Sequence, residues 1–80
     1  MTRNEIFEKL NDVFRDVFDD EDITVGEDTS SADIEDWDSL NHINLVVAVE
    51  KEFGVKFSMG ETQKMKNVGE MVNIIIERSK

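Results

Sequence analysis

Apolar residues follow helical spacing along most of this chain, and that spacing sets the strongest limit on its fold. Between residues 6 and 18 they recur every three or four positions, which predicts an amphipathic helix ending at about Phe18. Thr2 and Glu5 form a capping box at its start. The chain has 80 residues and no cysteine, so one small core without disulfides must be built from such stripes. The first stripe comprises Ile6, Phe7, Leu10, Val13, Phe14, Val17 and Phe18.

A second stripe predicts a helix from Ser39 to Phe53. Gly54 follows at once, as expected for a helix that ends in the left-handed conformation. Its closely spaced valines are also compatible with a strand, but the three- and four-residue spacing favours a helix. We expect its apolar face to comprise Leu40, Ile43, Val46, Val47, Val49 and Phe53, widened by Leu45 and Ala48.

Two more helices complete the predicted fold. Ser58 and Glu61 form a second capping box, which starts a short helix ending near Met65. Asn67 caps a fourth helix, whose buried face comprises Val68, Met71, Val72, Ile75 and Ile76. The predicted fold class is therefore all-α. We expect a single domain, residues 1–80, forming a small four-helix bundle: three main helices plus one short helix, with a long loop between the first and second helices.

The loop from residue 19 to residue 38 is long for so small a domain. A helical turn is expected near Ser31–Ile34. The acidic residues around Gly26 do not fit an EF-hand frame, which would place apolar side chains where oxygen ligands are required, so we predict no metal site. Apolar residues punctuate the loop, and we expect them to anchor it to the core; they are Ile23, Val25, Ile34 and Trp37.

The charge balance limits the partners of the chain. Nineteen acidic residues against nine basic ones give a formal net charge of -10. Such a surface repels phosphate backbones, so we expect no nucleic-acid partner, and it attracts proteins with basic patches. No segment is apolar enough to span a membrane and the amino terminus lacks a signal-peptide pattern. We therefore predict a cytoplasmic monomer without membrane insertion.

The tripeptide Asp38-Ser39-Leu40 begins the second predicted helix, and its serine has two interpretations. Either Asp38 or Ser39 can cap the helix, a contribution of about 1 kcal/mol. A hydroxyl in the first turn also lies at the positive end of the helix dipole, where an attached phosphate is stabilised by roughly 0.3–1 kcal/mol. Leu40 would add an apolar contact beside that hydroxyl.

This motif, at the start of a helix that ends with residues 50–54 (EKEFG), resembles the acyl carrier proteins. The resemblance covers residues 2–78 and includes the length, the negative charge and the long first loop. It implies that Ser39 carries 4′-phosphopantetheine, transferred from coenzyme A by a Mg²⁺-dependent phosphopantetheinyl transferase. It also implies that the arm's thiol holds acyl groups as thioesters, and that the protein is a carrier and not an enzyme.

The same resemblance assigns roles to the neighbouring residues. Asp38 would position the serine and the metal of the transferase. Docking contacts with acyl-loading and acyl-transfer enzymes, which bear basic patches, would involve Leu40, Asn41, Asn44 and Glu50. The apolar faces of the second and fourth helices would either part around an acyl chain or serve simply as core; they include Val46, Val47, Met65, Val68 and Ile75.

Three features depart from the carriers of fatty-acid synthesis. Asn41 and Asn44 stand where carboxylates are expected, Lys51 interrupts an acidic run, and Trp37 precedes the motif. Enzymes of fatty-acid synthesis should therefore bind this chain less well. The features favour a stand-alone carrier of a specialised pathway, such as one for polyketide, cell-surface polysaccharide or amino-acid-derived products.

Two questions stay open from the sequence. His42 lies three residues after Ser39, but a catalytic pair would need an orienting third group, so we expect this histidine to be exposed and structurally neutral. The alternative function is an acidic, non-catalytic protein-interaction module without a prosthetic group and with weak Ca²⁺ binding.

Overall fold

The computed structural model describes residues 1–79 and shows four helices in the predicted order. No strand occurs within those residues, so the prediction of an all-α fold is confirmed. The helices are α1 (Arg3–Val17), α2 (Ser39–Phe53), α3 (Met59–Lys64) and α4 (Val68–Arg78).

Local sequence signals set the helix ends. The predicted capping boxes of Thr2 with Glu5 and of Ser58 with Glu61 are both formed. Asn67 caps α4 through its side-chain oxygen, which accepts a hydrogen bond from the backbone N–H of Glu70. At the end of α2 the chain turns through Gly54, whose φ of 66° lies in the left-handed region that favours glycine. The predicted boundaries therefore hold to within about one residue.

The core lies where α1 packs against α2 and α4. None of the residues of α3 is buried, so this short helix lies at the edge of the bundle. Most of the buried apolar side chains belong to the three longer helices, which therefore supply most of the hydrophobic stabilisation. The most completely buried side chains are Ile6, Leu10, Phe14, Leu45, Val49, Val68, Met71, Val72 and Ile75.

The second helix is rotated differently from the prediction. Leu40, Ile43 and Val47, which we expected on its buried face, are 69%, 62% and 45% exposed. Val49 is buried as predicted, and Leu45, which we expected only to widen that face, is equally buried. Because α2 is apolar around much of its circumference, residues 40, 43 and 47 form a second stripe with the same helical spacing, and spacing alone does not select between the two.

The long loop is held to the bundle by its apolar residues, as predicted. Val25 is buried, and Ile23, Ile34 and Trp37 pack half-buried against the core. Near Ser31–Ile34, where a helical turn was expected, the chain is not part of a helix but does turn. The chain makes hydrogen-bonded turns there, in which the N–H of residue 33 donates to the carbonyl of residue 30 over 2.9 Å.

A second set of contacts, here called the mid-loop junction, joins the loop to α1 and α4 through Arg3, Glu27, Thr29, Val68 and Gly69. The first two N–H groups of α4 donate to the carbonyls of Thr29 (2.8 Å) and Glu27 (3.0 Å), which supplies partners that a helix start lacks. Arg3 binds the Glu27 carboxylate through two nitrogens, at 2.5 and 2.6 Å. A Cβ on Gly69 would lie 2.7 Å from the Glu27 carbonyl oxygen, so the close approach requires glycine.

Candidate functional site

Ser39 is the first residue of α2 and is exposed. The cap is made by Asp38, whose Oδ1 accepts a hydrogen bond from the N–H of Asn41 over 2.8 Å. Within residues 1–79 no hydrogen bond engages the Ser39 hydroxyl. The aspartate therefore fills the capping position, and the serine oxygen is left open to solvent.

The start of α2 suits an anionic group on that oxygen. The first turns of α1, α3 and α4 each contain a glutamate (Glu5, Glu61 and Glu70), whereas the first turn of α2 contains no acidic residue. The helix has 15 residues, and its dipole places partial positive charge at its amino end. A phosphate joined to Ser39 would meet that charge and the free N–H groups of the first turn.

The four predicted docking residues differ in how open they are. Leu40 and Asn44 are exposed. Asn41 is half-buried, and its amide donates to the carbonyl of Asp36 over 2.7 Å. Glu50 accepts a hydrogen bond from the N–H of Phe57 over 2.8 Å and so holds the loop that follows α2. Two of the four side chains are thus free for a partner, and two bind neighbouring segments of the chain.

A groove of about 750 Å³ runs beside Ser39 between α2 and α3. Trp37, Asp38 and His42 line it near the serine. Of the five residues predicted either to part around an acyl chain or to serve as core, Val68 and Ile75 are core, with 0% and 1% exposure. The other three, Val46, Val47 and Met65, line the groove.

His42 is neither exposed nor structurally neutral, so that prediction was wrong. It is half-buried; its Nδ1 lies 3.0 Å from the indole Nε1 of Trp37, and its Nε2 lies 3.1 Å from the carbonyl oxygen of Thr62. Sequence reasoning missed this contact because Thr62 is 20 residues away. The available signal was Trp37, since a partly buried indole N–H usually finds an acceptor.

The short helix α3 is tied down at its other end. Glu61 forms an ion pair with Arg78 of α4. Hydrogen bonding from the N–H of Ser58, and then from Arg78, holds the pKa of Glu61 below its ordinary value. One carboxylate therefore joins the start of α3 to the end of α4.

Among residues 1–79, no three or more His, Asp or Glu side chains come together as ligands for a metal ion. Nor does any helix described there combine the length and apolar character needed to cross a bilayer.

The chain is similar to known proteins in both sequence and fold. Residues 8–75 match the family described as the phosphopantetheine attachment site. The solution NMR structure of holo acyl carrier protein from Geobacter metallireducens superposes with a TM-score of 0.86 at 42% identity, over 91% of this chain and 84% of that one. The acyl carrier protein of Petrotoga mobilis is 38% identical over 80 residues, 98% of this chain and 92% of the relative. That of a Picosynechococcus species is 35% identical over 75 residues, 94% and 93% of the two chains.

The helical fold and the match to an attachment site define a phosphopantetheine-binding carrier domain. Within that class, the chain belongs to the acyl carrier protein family, and the resemblance in its sequence is confirmed. Its function is that of a carrier and not of a catalyst. The cofactor of the family is 4′-phosphopantetheine. The acyl group held by this cofactor is passed to and from partner enzymes.

Proposed function

We propose that Ser39 is the residue that bears the 4′-phosphopantetheine arm. The observation that carries this proposal is the exposed hydroxyl, which stays free because Asp38 takes the capping position. The bond would be a phosphodiester through Ser39 Oγ, with its negative charge at the positive end of α2. The arm supplies a thiol, which holds the acyl group as a thioester.

Asp38 positions the reaction at Ser39 in this proposal. One carboxylate oxygen accepts the hydrogen bond from Asn41, which fixes the orientation of the side chain. The residue is exposed, so its second oxygen can reach the Mg²⁺ ion of a phosphopantetheinyl transferase. The same carboxylate thus orders the helix start and faces the enzyme that modifies it.

The test is the intact mass of the protein after incubation with coenzyme A, Mg²⁺ and a broad-specificity phosphopantetheinyl transferase. We expect the mass of one arm to be added. Ser39→Ala should abolish the addition, whereas Ser31→Ala, which removes another exposed hydroxyl at the same groove, should not. No addition to the wild type, under conditions that modify a control carrier, would favour the alternative of an interaction module without a prosthetic group.

Partner choice is the second part of the proposal. The outward side of α2 presents Leu40, Ile43 and Val47, together with the uncharged Asn44. Enzymes that rely on basic patches find few carboxylates there, so attraction to them is weak. We propose that the transferase and the acyl-transferring partners contact this apolar stripe, and that the chain serves a specialised pathway rather than general fatty-acid synthesis.

The enzymes of fatty-acid synthesis test this choice directly. With the arm-bearing protein as substrate, we expect loading and elongation well below the rates seen with their own carrier. Asn44→Asp should raise those rates at low salt and lose its advantage at high salt, because added charge acts through a screened attraction. Ordinary carrier rates with the unchanged chain would contradict a specialised role.

The cytoplasmic location and monomeric state predicted from the sequence remain part of this proposal. The high negative charge supports a monomer, because like-charged surfaces repel one another. Sedimentation equilibrium checks the oligomeric state; we expect one species with the mass of a single chain.

A further inference from the structure

Three residues form a continuous hydrogen-bonded chain across the groove, here called the rim junction: Trp37, His42 and Thr62. The indole N–H of Trp37 faces His42 Nδ1 at 3.0 Å, and His42 Nε2 faces the carbonyl oxygen of Thr62 at 3.1 Å. The two rings are nearly parallel, with an interplanar angle of 22°. The junction therefore connects the loop before Ser39, α2 and α3.

The geometry requires one protonation state of His42. An indole nitrogen only donates, so His42 Nδ1 must accept and must be unprotonated. A backbone carbonyl only accepts, so the ring proton must lie on Nε2. The imidazole is therefore neutral. With a proton on Nδ1, the ring would present an N–H donor to the indole N–H of Trp37, and the hydrogen bond between them would be lost.

The two ends of the rim junction respond differently to such a proton. The bond from Nε2–H to Thr62 would survive and gain strength, since a charged donor makes a stronger hydrogen bond. Thr62 lies in the last turn of α3, where backbone carbonyls lack partners within the helix. Acidification would thus release Trp37 and leave α3 attached to α2.

Trp37 anchors the residues before Ser39, together with the hydrogen bond from the Asn41 amide to the Asp36 carbonyl. Its ring meets Phe14 of α1 edge-on, with centroids 5.3 Å apart, and lies 6.3 Å from the ring of Phe18. The hydrogen bond to His42 fixes the other side of the same ring. Ser39 follows two residues later, so the position of its backbone depends on both contacts.

We propose that His42 is a positioning residue for the modification of Ser39: neutral His42 holds Trp37, and this hydrogen bond preorganises the segment that a transferase must recognise. The inference rests on the proposed attachment at Ser39. Loosening the segment would add an ordering cost to enzyme binding, so the effect falls on KM more than on kcat.

Charged groups surround the histidine from several elements. Asp38 from the loop, Glu50 from α2 and Lys66 from the segment after α3 line the same groove, and Asp36 is exposed next to Trp37. The remaining lining from α4 is Met71, which carries no charge. Charged groups of both signs therefore share the groove with the histidine.

Two substitutions separate the two hydrogen bonds. His42→Asn places an amide where Nδ1 stood, so it retains an acceptor for Trp37 and cannot be protonated. In His42→Gln the longer side-chain amide reaches toward Thr62 and can still donate to its carbonyl, but no acceptor remains for Trp37. Both are neutral polar side chains at a half-buried position, so both variants should fold.

The experiment measures KM for transfer of the arm between about pH 8 and about pH 6, within the range where histidine changes charge. We expect the ratio of wild-type KM to His42→Asn KM to rise about fivefold on acidification, the factor of one ordinary hydrogen bond. Taking the ratio cancels the transferase's own pH dependence. His42→Gln should show the higher KM already at pH 8.

NMR spectroscopy distinguishes this positioning role from a merely structural one, because it reports the protonation state of His42 directly. The chain has one histidine and one tryptophan, so ¹⁵N shifts of the imidazole and the indole are unambiguous. We expect a protonated Nε2 and a bare Nδ1 at pH 8, and an indole N–H signal that shifts on acidification in the wild type but not in His42→Asn.

Separate outcomes overturn the two proposals. If the wild type gains no arm at pH 8, attachment at Ser39 fails and the positioning role fails with it. If the arm is added but the KM ratio stays flat with pH, or if the imidazole proton lies on Nδ1, the positioning role alone fails.

Discussion

Two of the junctions that attach the long first loop to the bundle differ in the kind of hydrogen bond that forms them. At the mid-loop junction, backbone N–H groups of α4 donate to loop carbonyls, and Arg3 grips Glu27 with two nitrogens. At the rim junction the loop is joined to α2 by one indole–imidazole hydrogen bond between side chains. The first anchors the middle of the loop, and the second lies beside Ser39.

This difference separates a fixed attachment from an adjustable one. Backbone hydrogen bonds at the mid-loop junction involve no ionisable atom, so pH acts there only through Glu27. The rim junction depends on a neutral His42, because a proton on its Nδ1 would remove the acceptor for the Trp37 indole. The responsive junction thus adjoins Ser39, whereas the fixed one joins the middle of the loop to α1 and α4.

The largest effect is expected from filling the mid-loop junction. Gly69→Ala would place its Cβ 2.6 Å from Glu27 Oε1 and 2.7 Å from the Glu27 carbonyl oxygen, so the loop must move away from α4. We expect the free energy of unfolding to fall by about 1–3 kcal/mol, as for overpacked sites. Urea unfolding followed by circular dichroism measures it.

Gly60→Ala is the matched control, because Gly60 and Gly69 are both second residues of their helices. A Cβ on Gly60 meets nothing within 4 Å. The control should therefore gain stability, by up to about 1 kcal/mol from helix propensity. Equal effects of the two substitutions would show that the loop does not approach α4 so closely.

A smaller effect is expected at the rim junction. Trp37→Phe keeps an aromatic ring against Phe14 but removes the donor to His42. At pH 8 we expect a loss of about 1 kcal/mol, the value of one hydrogen bond, together with some lost packing. A double-mutant cycle with His42→Gln isolates the hydrogen bond. Additive losses in the cycle would mean that the two side chains do not interact.

Helix ends could be predicted because their signals are local, and the proposed attachment motif is local as well. A cap such as Thr2 and its partner Glu5 are three residues apart, so the sequence contains the whole interaction. The same holds for Asp38, Ser39 and Leu40, although the sequence could not decide between aspartate and serine as the cap. The start of α2 resolves that question in favour of Asp38.

The contacts that sequence reasoning missed join distant residues. Arg3 lies 24 residues from Glu27 and 70 from Asn73, and His42 lies 20 from Thr62. Such pairs depend on how helices are rotated and packed, and the apolar pattern of α2 allowed two rotations. The burial of Leu45 rather than Ile43 is therefore a property of the assembled bundle and not of the helix alone.

The smallest effect, and the sharpest distinction between the junctions, is the pH dependence of the mid-loop ion pair. Hydrogen bonding from Arg3 lowers the pKa of Glu27 below its ordinary value of 4.5. Because the pKa of Glu27 is lower in the folded than in the unfolded chain, the ion pair stabilises the fold at pH values above the unfolded pKa. This stabilisation is lost as the pH falls through the folded pKa. Glu27→Gln should therefore be less stable than the wild type near neutral pH, and the difference should shrink in acid.

Unfolding free energies from about pH 7 to about pH 3 measure this, with Glu8→Gln as the control at an exposed position on α1. Because the pKa of Glu27 is lowered, its charge changes only in acid. An effect of Glu27→Gln confined to the range between pH 8 and 6 would therefore mean that the two junctions are coupled rather than independent.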